Sequence, residues 1–358
     1  MHEKSKPVPF VGGVFGVEPA VVSSSKTSPV WEREFSIFSA SARSSIFTLF
    51  SYFALIDKKV WLPRYVCSEV RYAAKKSQVR TDFYSVNKNL ELEDSLFEQK
   101  LDAGDVVFLV DYFGLGISLN LIQSLKSRGA VIVRDLAQNF YFGLNQESFN
   151  EDFLIYSPRK FFGIPDGGIL VSFMEEVNSF LRKVDYLENT EASDLMLKAQ
   201  RGRTAFDTDG NQSDWFSLFK QAEERVPCGH FQISQYSLDL LRKSKGFPAY
   251  ATDRIRNFNI LNDILGEWAI PIKLGEEING PLGVPILVQN RNFVCNELYK
   301  KNIYPAIHWK IDDKNHDLSH IELFLSEHIM TIPCDHRLDS DGARWLGTQV
   351  YSALQGEK

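Results

Sequence analysis

Apolar and polar positions follow one another in blocks along the first half of the chain. An apolar block at helical spacing over 44–54 precedes short apolar strands over 60–63 and 80–86, with a helix over 68–75 between them. A polar helix over 92–101 and a strand over 106–112, built on the unbroken run Val106-Val107-Phe108-Leu109-Val110, come next. A helix over 119–128 and strands over 130–134, 153–156 and 168–173 complete the series. Strands that are apolar on both faces and alternate with helices predict a mostly parallel sheet flanked by helices, an α/β fold. Ligands of such sheets bind at the carboxyl ends of the strands. The polar residues just after each apolar run are therefore the candidates for chemistry: Asp111 and Tyr112, Asp135, and residues 157–160.

The second half is organised differently. From 174 to 229 the pattern is helical and polar, with a loop expected around 207–211. A helix over 232–243 leads to helical spacing over 254–265, and a strand over 283–288, a helix to 301 and a segment over 303–309 predict a small βαβ-like unit. The first ~30 residues hold Pro7, Pro9, Gly12, Gly13, Gly16 and Pro19, which predicts an extended arm. Three parts are thus expected: an arm over 1–30, a large domain over 31–240 and a smaller C-terminal α/β domain over 241–358.

Composition narrows the function classes. A chain of 358 residues that is 44% hydrophobic and 24% charged can bury a large core, and its net charge of −6 gives no electrostatic reason to bind nucleic acid or an anionic membrane. The longest apolar run, 46–56, is interrupted by Thr48, Ser51 and Tyr52 and falls short of the ~18–20 residues of a membrane span. The N-terminus lacks the basic-then-apolar layout of a secretion signal, so a cytoplasmic location is expected. Cys67, Cys228, Cys295 and Cys334 are scattered with no CxxC, which predicts reduced thiols and no zinc site.

Three features carry candidate chemistry. In Arg134-Asp135-Leu136-Ala137-Gln138 an acid leaves an apolar strand and an amide follows about one helical turn later. A pyridoxal ring needs a carboxylate against its pyridine nitrogen and a donor near its phenolic oxygen, and these two residues suit those roles; a strand-end Asp that caps a helix is the ordinary alternative. Lys160 stands just past the strand over 153–156, in Ser157-Pro158-Arg159-Lys160, ahead of Pro165-Asp166-Gly167-Gly168. Taken alone, a lysine is most often a surface charge. Ser41-Ala42-Arg43-Ser44-Ser45 opens an apolar helix, a place where a phosphate can sit or where serine merely caps. His316 and His320, four apart, form a weaker metal-binding alternative, and Gly114 and Gly116 lack the third glycine of a dinucleotide fingerprint.

The order of the three features resembles the DegT/DnrJ/StrS group of fold type I pyridoxal-phosphate (PLP) enzymes, aminotransferases that act on nucleotide-linked keto-sugars. The segments that carry the resemblance are Ala42-Arg43-Ser44-Ser45-Ile46, Arg134 to Gln138, Pro158-Arg159-Lys160 and Pro165 to Gly168, with Gly283 to Val288 and Ile307-His308-Trp309 in the C-terminal part. It implies Lys160 as the Schiff-base lysine and proton carrier, Asp135 as the pyridine partner, Gln138 at the ring oxygen, and Arg43 with Ser44 at the phosphate. It also implies an amino-acid donor, a keto-sugar acceptor and a homodimer. The departures are Ile155 where a phosphate-binding serine is usual, with Ser157 as a substitute, Cys67 where an aromatic ring stacks on the cofactor, and Asp111 in place of a histidine. Residues 201–230 would hold the partner subunit's contribution. A non-catalytic ligand-binding protein that kept the fold is the alternative.

Overall fold

The computed structural model describes residues 10–18, 28–93, 95–144, 146–210, 214–244, 246–270, 280–311 and 318–357. The N-terminal part contains strand β1 (Val11–Gly12), helix α1 (Val30–Arg33) and strand β2 (Ser36–Ser39). The alternating region follows as α2 (Ala42–Leu55), β3 (Lys59–Pro63), α3 (Ser68–Ser77), β4 (Arg80–Tyr84), α4 (Ser95–Lys100), β5 (Val106–Val110), α5 (Leu119–Ser127), β6 (Val131–Leu136), β7 (Phe153–Tyr156) and β8 (Gly168–Ser172). Helices α6 (Glu175–Leu181), α7 (Thr190–Asp209), α8 (Trp215–Arg225), α9 (Gln235–Lys243) and α10 (Phe247–Leu265) lead to β9 (Gly283–Leu287). Then come α11 (Arg291–Tyr299), β10 (Ile303–Tyr304), α12 (His320–His328), β11 (Ile329–Pro333) and α13 (Ser340–Gln355).

The central sheet has the order β2-β8-β7-β6-β5-β3-β4. Strands β4, β3, β5, β6 and β7 run parallel, while β8 is antiparallel to β7 and β2 to β8, so the predicted mostly parallel α/β sheet is the observed one. Register aligns the chemistry: Asp135 stands opposite Val110 on one side and Ile155 on the other. Asp111, Asp135 and Ser157 therefore leave the same edge of the sheet. Helix α2 packs on the sheet through Ile46, Leu49, Phe50 and Phe53, all buried and spaced three or four apart. Its start is capped by Ser41, whose Oγ accepts the Ser44 N–H at 3.1 Å.

Three elements differ from the sequence expectation. Strand β2 carries only Ser-Ile-Phe-Ser, too short and too polar to stand out, and it forms because the β8 edge offers unpaired backbone groups. Residues 207–209 are the last turn of α7 rather than a loop, with Gly210 taking the left-handed cap; Asn211 lies outside the described residues. The βαβ-like unit is not formed by β9 and β10. Strand β9 pairs antiparallel with β11, a five-residue apolar run, and two-residue β10 pairs with β1 of the arm. The longer ladder buries more apolar area and wins the place beside β9.

Helix α10 joins two cores. Phe247 and Ala251 enter the aromatic cluster that includes Phe140, Phe161 and Phe162, and Phe258, Leu261 and Leu265 enter the C-terminal cluster around β9 and β11. The C-terminal unit is thereby packed against the segment that follows Lys160.

Candidate active site

At the end of β6 the two-residue alternation of a strand sends neighbouring charges to opposite faces. Arg134 turns into a buried ion network, donating to Asp111 at 2.7 Å and to Glu151 at 2.8 Å, with its guanidinium 3.9 Å from the centre of the Phe142 ring. Asp111 also accepts from Asn139 and from the Gly116 N–H, at 3.1 and 3.0 Å. Its oxygens are spent within the fold. Asp135, on the other face, accepts a single hydrogen bond, from the Ala137 N–H to Oδ1 at 2.9 Å, and Oδ2 has no partner among the described residues. Burial raises its pKa to about 6, opposed by the Ala137 N–H and the Lys160 charge and assisted by repulsion from Asp111.

Gln138 is buried beside it. Its Oε1 accepts the Phe113 N–H at 2.6 Å, which settles the orientation of the amide, and Nε2 is buried with no hydrogen-bond partner among the described residues. A buried amide donor left open costs ~1–3 kcal/mol, so an acceptor from outside the chain would be stabilised at this nitrogen.

Lys160 ends a 3-10 turn, Pro158–Lys160, that opens directly after β7. Proline at its first position suits the turn because it has no N–H to satisfy there, and the Ser157 carbonyl accepts the Lys160 N–H at 3.3 Å. Beyond the turn the chain must return to β8 past the start of α2. A Cβ on Gly168 would stand 2.1 Å from the Ser41 carbonyl carbon, and Gly167 has φ +137°, which explains the glycine pair. The Lys160 amine makes no hydrogen bond or ion pair among the described residues. Its charge acts on Cys67, Asp135, His308 and Glu223, which places these groups around one spot.

The C-terminal unit closes this spot. The Tyr65 hydroxyl donates to the His308 carbonyl at 2.6 Å and accepts the Trp309 N–H at 2.9 Å, and the Tyr112 hydroxyl donates to the Tyr65 carbonyl. The Tyr65 hydroxyl is thus engaged as a tie between units. His308 bonds Thr331 Oγ1 through Nδ1 at 2.9 Å, and burial, aided by the Lys160 charge, lowers its pKa to about 3. It is neutral at physiological pH. Tyr65→Phe leaves two backbone groups of the 308–309 segment without their partner and is expected to lower stability by about 1–3 kcal/mol, read as a shift of the urea midpoint. An unchanged midpoint would rule out the tie.

At the start of α2 the expected phosphate loop is engaged by the chain itself. Ser44 gives its N–H to Ser41 and its hydroxyl to the Pro227 carbonyl at 3.0 Å. Arg43 donates to the Val226 carbonyl at 2.8 Å and forms an ion pair with Glu69. The carbonyls of 226 and 227 thus occupy the two side-chain donors, the Arg43 guanidinium and the Ser44 hydroxyl. Ile155 is fully buried in the core, while Ser157 is buried with a hydroxyl that makes no hydrogen bond among the described residues. Cys67, half-buried at the start of α3, has its thiol pKa raised by burial against the pull of Lys160. Arg159 and Glu223, which sequence reasoning did not place in the pocket, form an ion pair of 2.5 Å at its rim. Only the position of Arg159 next to Lys160 could have suggested the first, and nothing local suggests Glu223. Of the metal alternative, His316 lies outside the described residues, His320 opens α12, and no group of three or more His, Cys, Asp or Glu among the described residues is placed to hold a metal.

Solved structures share this architecture. Helicobacter pylori PseC, an aminotransferase involved in the biosynthesis of pseudoaminic acid, superposes with a TM-score of 0.68 at 14% identity, over 96% of this chain and 100% of that one. This is the fold of the sugar aminotransferases. The same fold is seen in the PLP form of Spr1654 from Streptococcus pneumoniae, described as a sugar aminotransferase (TM-score 0.66, 13% identity, 97% of this chain and 100% of that one). A DegT DnrJ EryC1 StrS aminotransferase from Brucella abortus matches at TM-score 0.61 and 14% identity, over 90% of this chain and 86% of that one. No family model and no curated protein matches the sequence. Within the aminotransferase fold, the strand edge that bears Asp135 and Lys160 is the ligand edge expected for an α/β sheet. No helix among the described residues is long and apolar enough to cross a membrane.

Proposed function

We propose that this chain is a PLP-dependent aminotransferase that takes an amino group from an amino acid, glutamate, and delivers it to a nucleotide-linked keto-sugar. The observation that carries the reading is the presence at one strand edge of a lysine amine, one oxygen of a carboxylate and a buried amide donor that have no hydrogen-bond partner among the described residues. These three groups suit the ring of PLP: Lys160 would hold its aldehyde, Asp135 would face the pyridine nitrogen and Gln138 Nε2 would donate to the phenolic oxygen. When bound, PLP supplies an electron sink that lets an amino acid give up its α-proton.

The chain's own groups do the rest. Lys160 would carry the proton between the two halves of the reaction, since it is the basic group whose charge acts on the carboxylate that would orient the ring. Asp135, held in a buried place, gains when a cation is set against it, and the neutral imidazole of His308 forms part of the pocket wall without competing for that proton. Tyr65 and Trp309 bring the C-terminal unit over the pocket and limit the entry of water. Resemblance extends the reading to a cytoplasmic homodimer.

The engagement of Arg43 and Ser44 by residues 226–227 favours a second reading, a ligand-binding relic of the fold. One experiment separates the two. Protein loaded with PLP and mixed with excess glutamate is expected to convert the absorbance of lysine-bound cofactor to that of pyridoxamine phosphate, with one 2-oxoglutarate released per site. A spectrum that glutamate and other amino acids leave unchanged would favour the relic.

A further inference from the structure

We infer that Glu223 is an internal counter-anion for the cationic seat beside Lys160, and that it sets how strongly the pocket prefers a phosphorylated pyridoxal over the unphosphorylated form. The inference rests on the proposed use of PLP. Arg159 and Lys160 leave the same 3-10 turn, and the charges of both act on Glu223. Glu223 meets Arg159 at 2.5 Å; the Arg159 side chain is 19% exposed and Glu223 40%, so the pair lies at the solvent rim and is partly screened. Val226, one turn beyond Glu223, holds Arg43 through its carbonyl, and Pro227 holds the Ser44 hydroxyl. One short segment, 223–227, thus supplies a carboxylate and two carbonyls to groups around the start of α2. Burial works against ionisation of Glu223, yet Arg159, Arg43 and Lys160 hold its carboxyl below the usual range.

Charge then decides between the two cofactor forms. Arg43, Arg159 and Lys160 stand against Glu223 and Glu69, and Asp166 and Asp135 also interact with Arg159 and Lys160, so the carboxylates offset the cations that a phosphate would meet. Neutralising Glu223 shifts that balance by one charge in favour of a phosphate. Ile155 offers no hydroxyl and that of Ser44 is given to Pro227, so the electrostatic term is not masked by hydrogen bonds from those positions. Asp135, Gln138 and Lys160 address the ring, which both forms share.

The test is a titration of wild type, Glu223→Gln and Arg159→Gln with PLP and with pyridoxal, following the absorbance of the lysine-bound form, with melting curves to verify folding. Glu223→Gln keeps an oxygen for Arg159 and is expected to raise the preference for PLP about tenfold, with pyridoxal affinity unchanged. Arg159→Gln is expected to lower that preference by a similar factor. Equal preferences in all three proteins, or weaker PLP binding by Glu223→Gln, would overturn the inference while leaving the proposed function intact. Failure of wild type to react with either aldehyde would instead remove the proposed function and the inference with it.

Discussion

Lys160→Ala is expected to abolish the absorbance of lysine-bound cofactor and to slow amino transfer by roughly a hundred- to ten-thousand-fold, the range a positioned proton carrier supplies. The size of the loss follows from what surrounds it. His308 is buried, neutral with a pKa of about 3, and tied through Nδ1 to Thr331, so it is a poor base. The Cys67 thiol is held protonated by a raised pKa. Neither can take over. A small amine added to the medium is expected to restore part of the rate, because the space left by the side chain opens beside the same carboxylate. A variant that keeps the spectral band and most of its rate would place the chemistry at another residue.

Asp135→Asn is expected to act in opposite directions on stability and on activity. The folded-state pKa of about 6 lies above the ordinary carboxylate value of 3.8, so the folded protein holds this proton more tightly than the unfolded chain does. Stability from the protonated acid is complete below the unfolded value and is lost as pH rises through about 6. Above that, the ionised buried carboxylate costs up to about 3 kcal/mol, at 1.36 kcal/mol per unit. The cofactor-free variant should therefore be more stable than wild type at pH 8 by about 1–3 kcal/mol, with no gain near pH 4. With PLP bound, Asn offers no negative charge to the ring nitrogen, and amino transfer should fall roughly a hundredfold, the scale of one lost electrostatic contact in a buried site. Chemical denaturation at the two pH values together with the rate checks both parts. Equal stability at pH 8 would show that burial does not penalise the Asp135 charge, and undiminished turnover would show that Asp135 does not face the ring.

Much of the site was legible because it lies on strand ends. The apolar runs that end before Asp111, Asp135 and Ser157 mark a single edge once the strands are parallel, and that edge needs no tertiary information beyond the sheet itself. The loop after Lys160 was readable through Gly167 and Gly168, whose missing side chains allow the approach to Ser41. Asp111 was readable as a strand-end polar residue but not as a partner of Arg134, because the two are far apart in sequence and meet only across neighbouring strands. The same holds for Tyr65, two positions before Cys67, whose hydroxyl is committed to the segment 308–309.

The sequence by itself determined the fold class, the strand edge and the candidates Lys160, Asp135 and Gln138, since these depend on periodicity and on short spacings that the local backbone preserves. Tertiary structure decided what those residues face. It paired β9 with β11 because the longer apolar ladder buries more surface, and it gave the donors of Arg43 and Ser44 to residues 226–227. It also set Glu223 against Arg159, 64 positions away. Contacts at such separations are chosen by the packing of whole elements, and no local pattern encodes them.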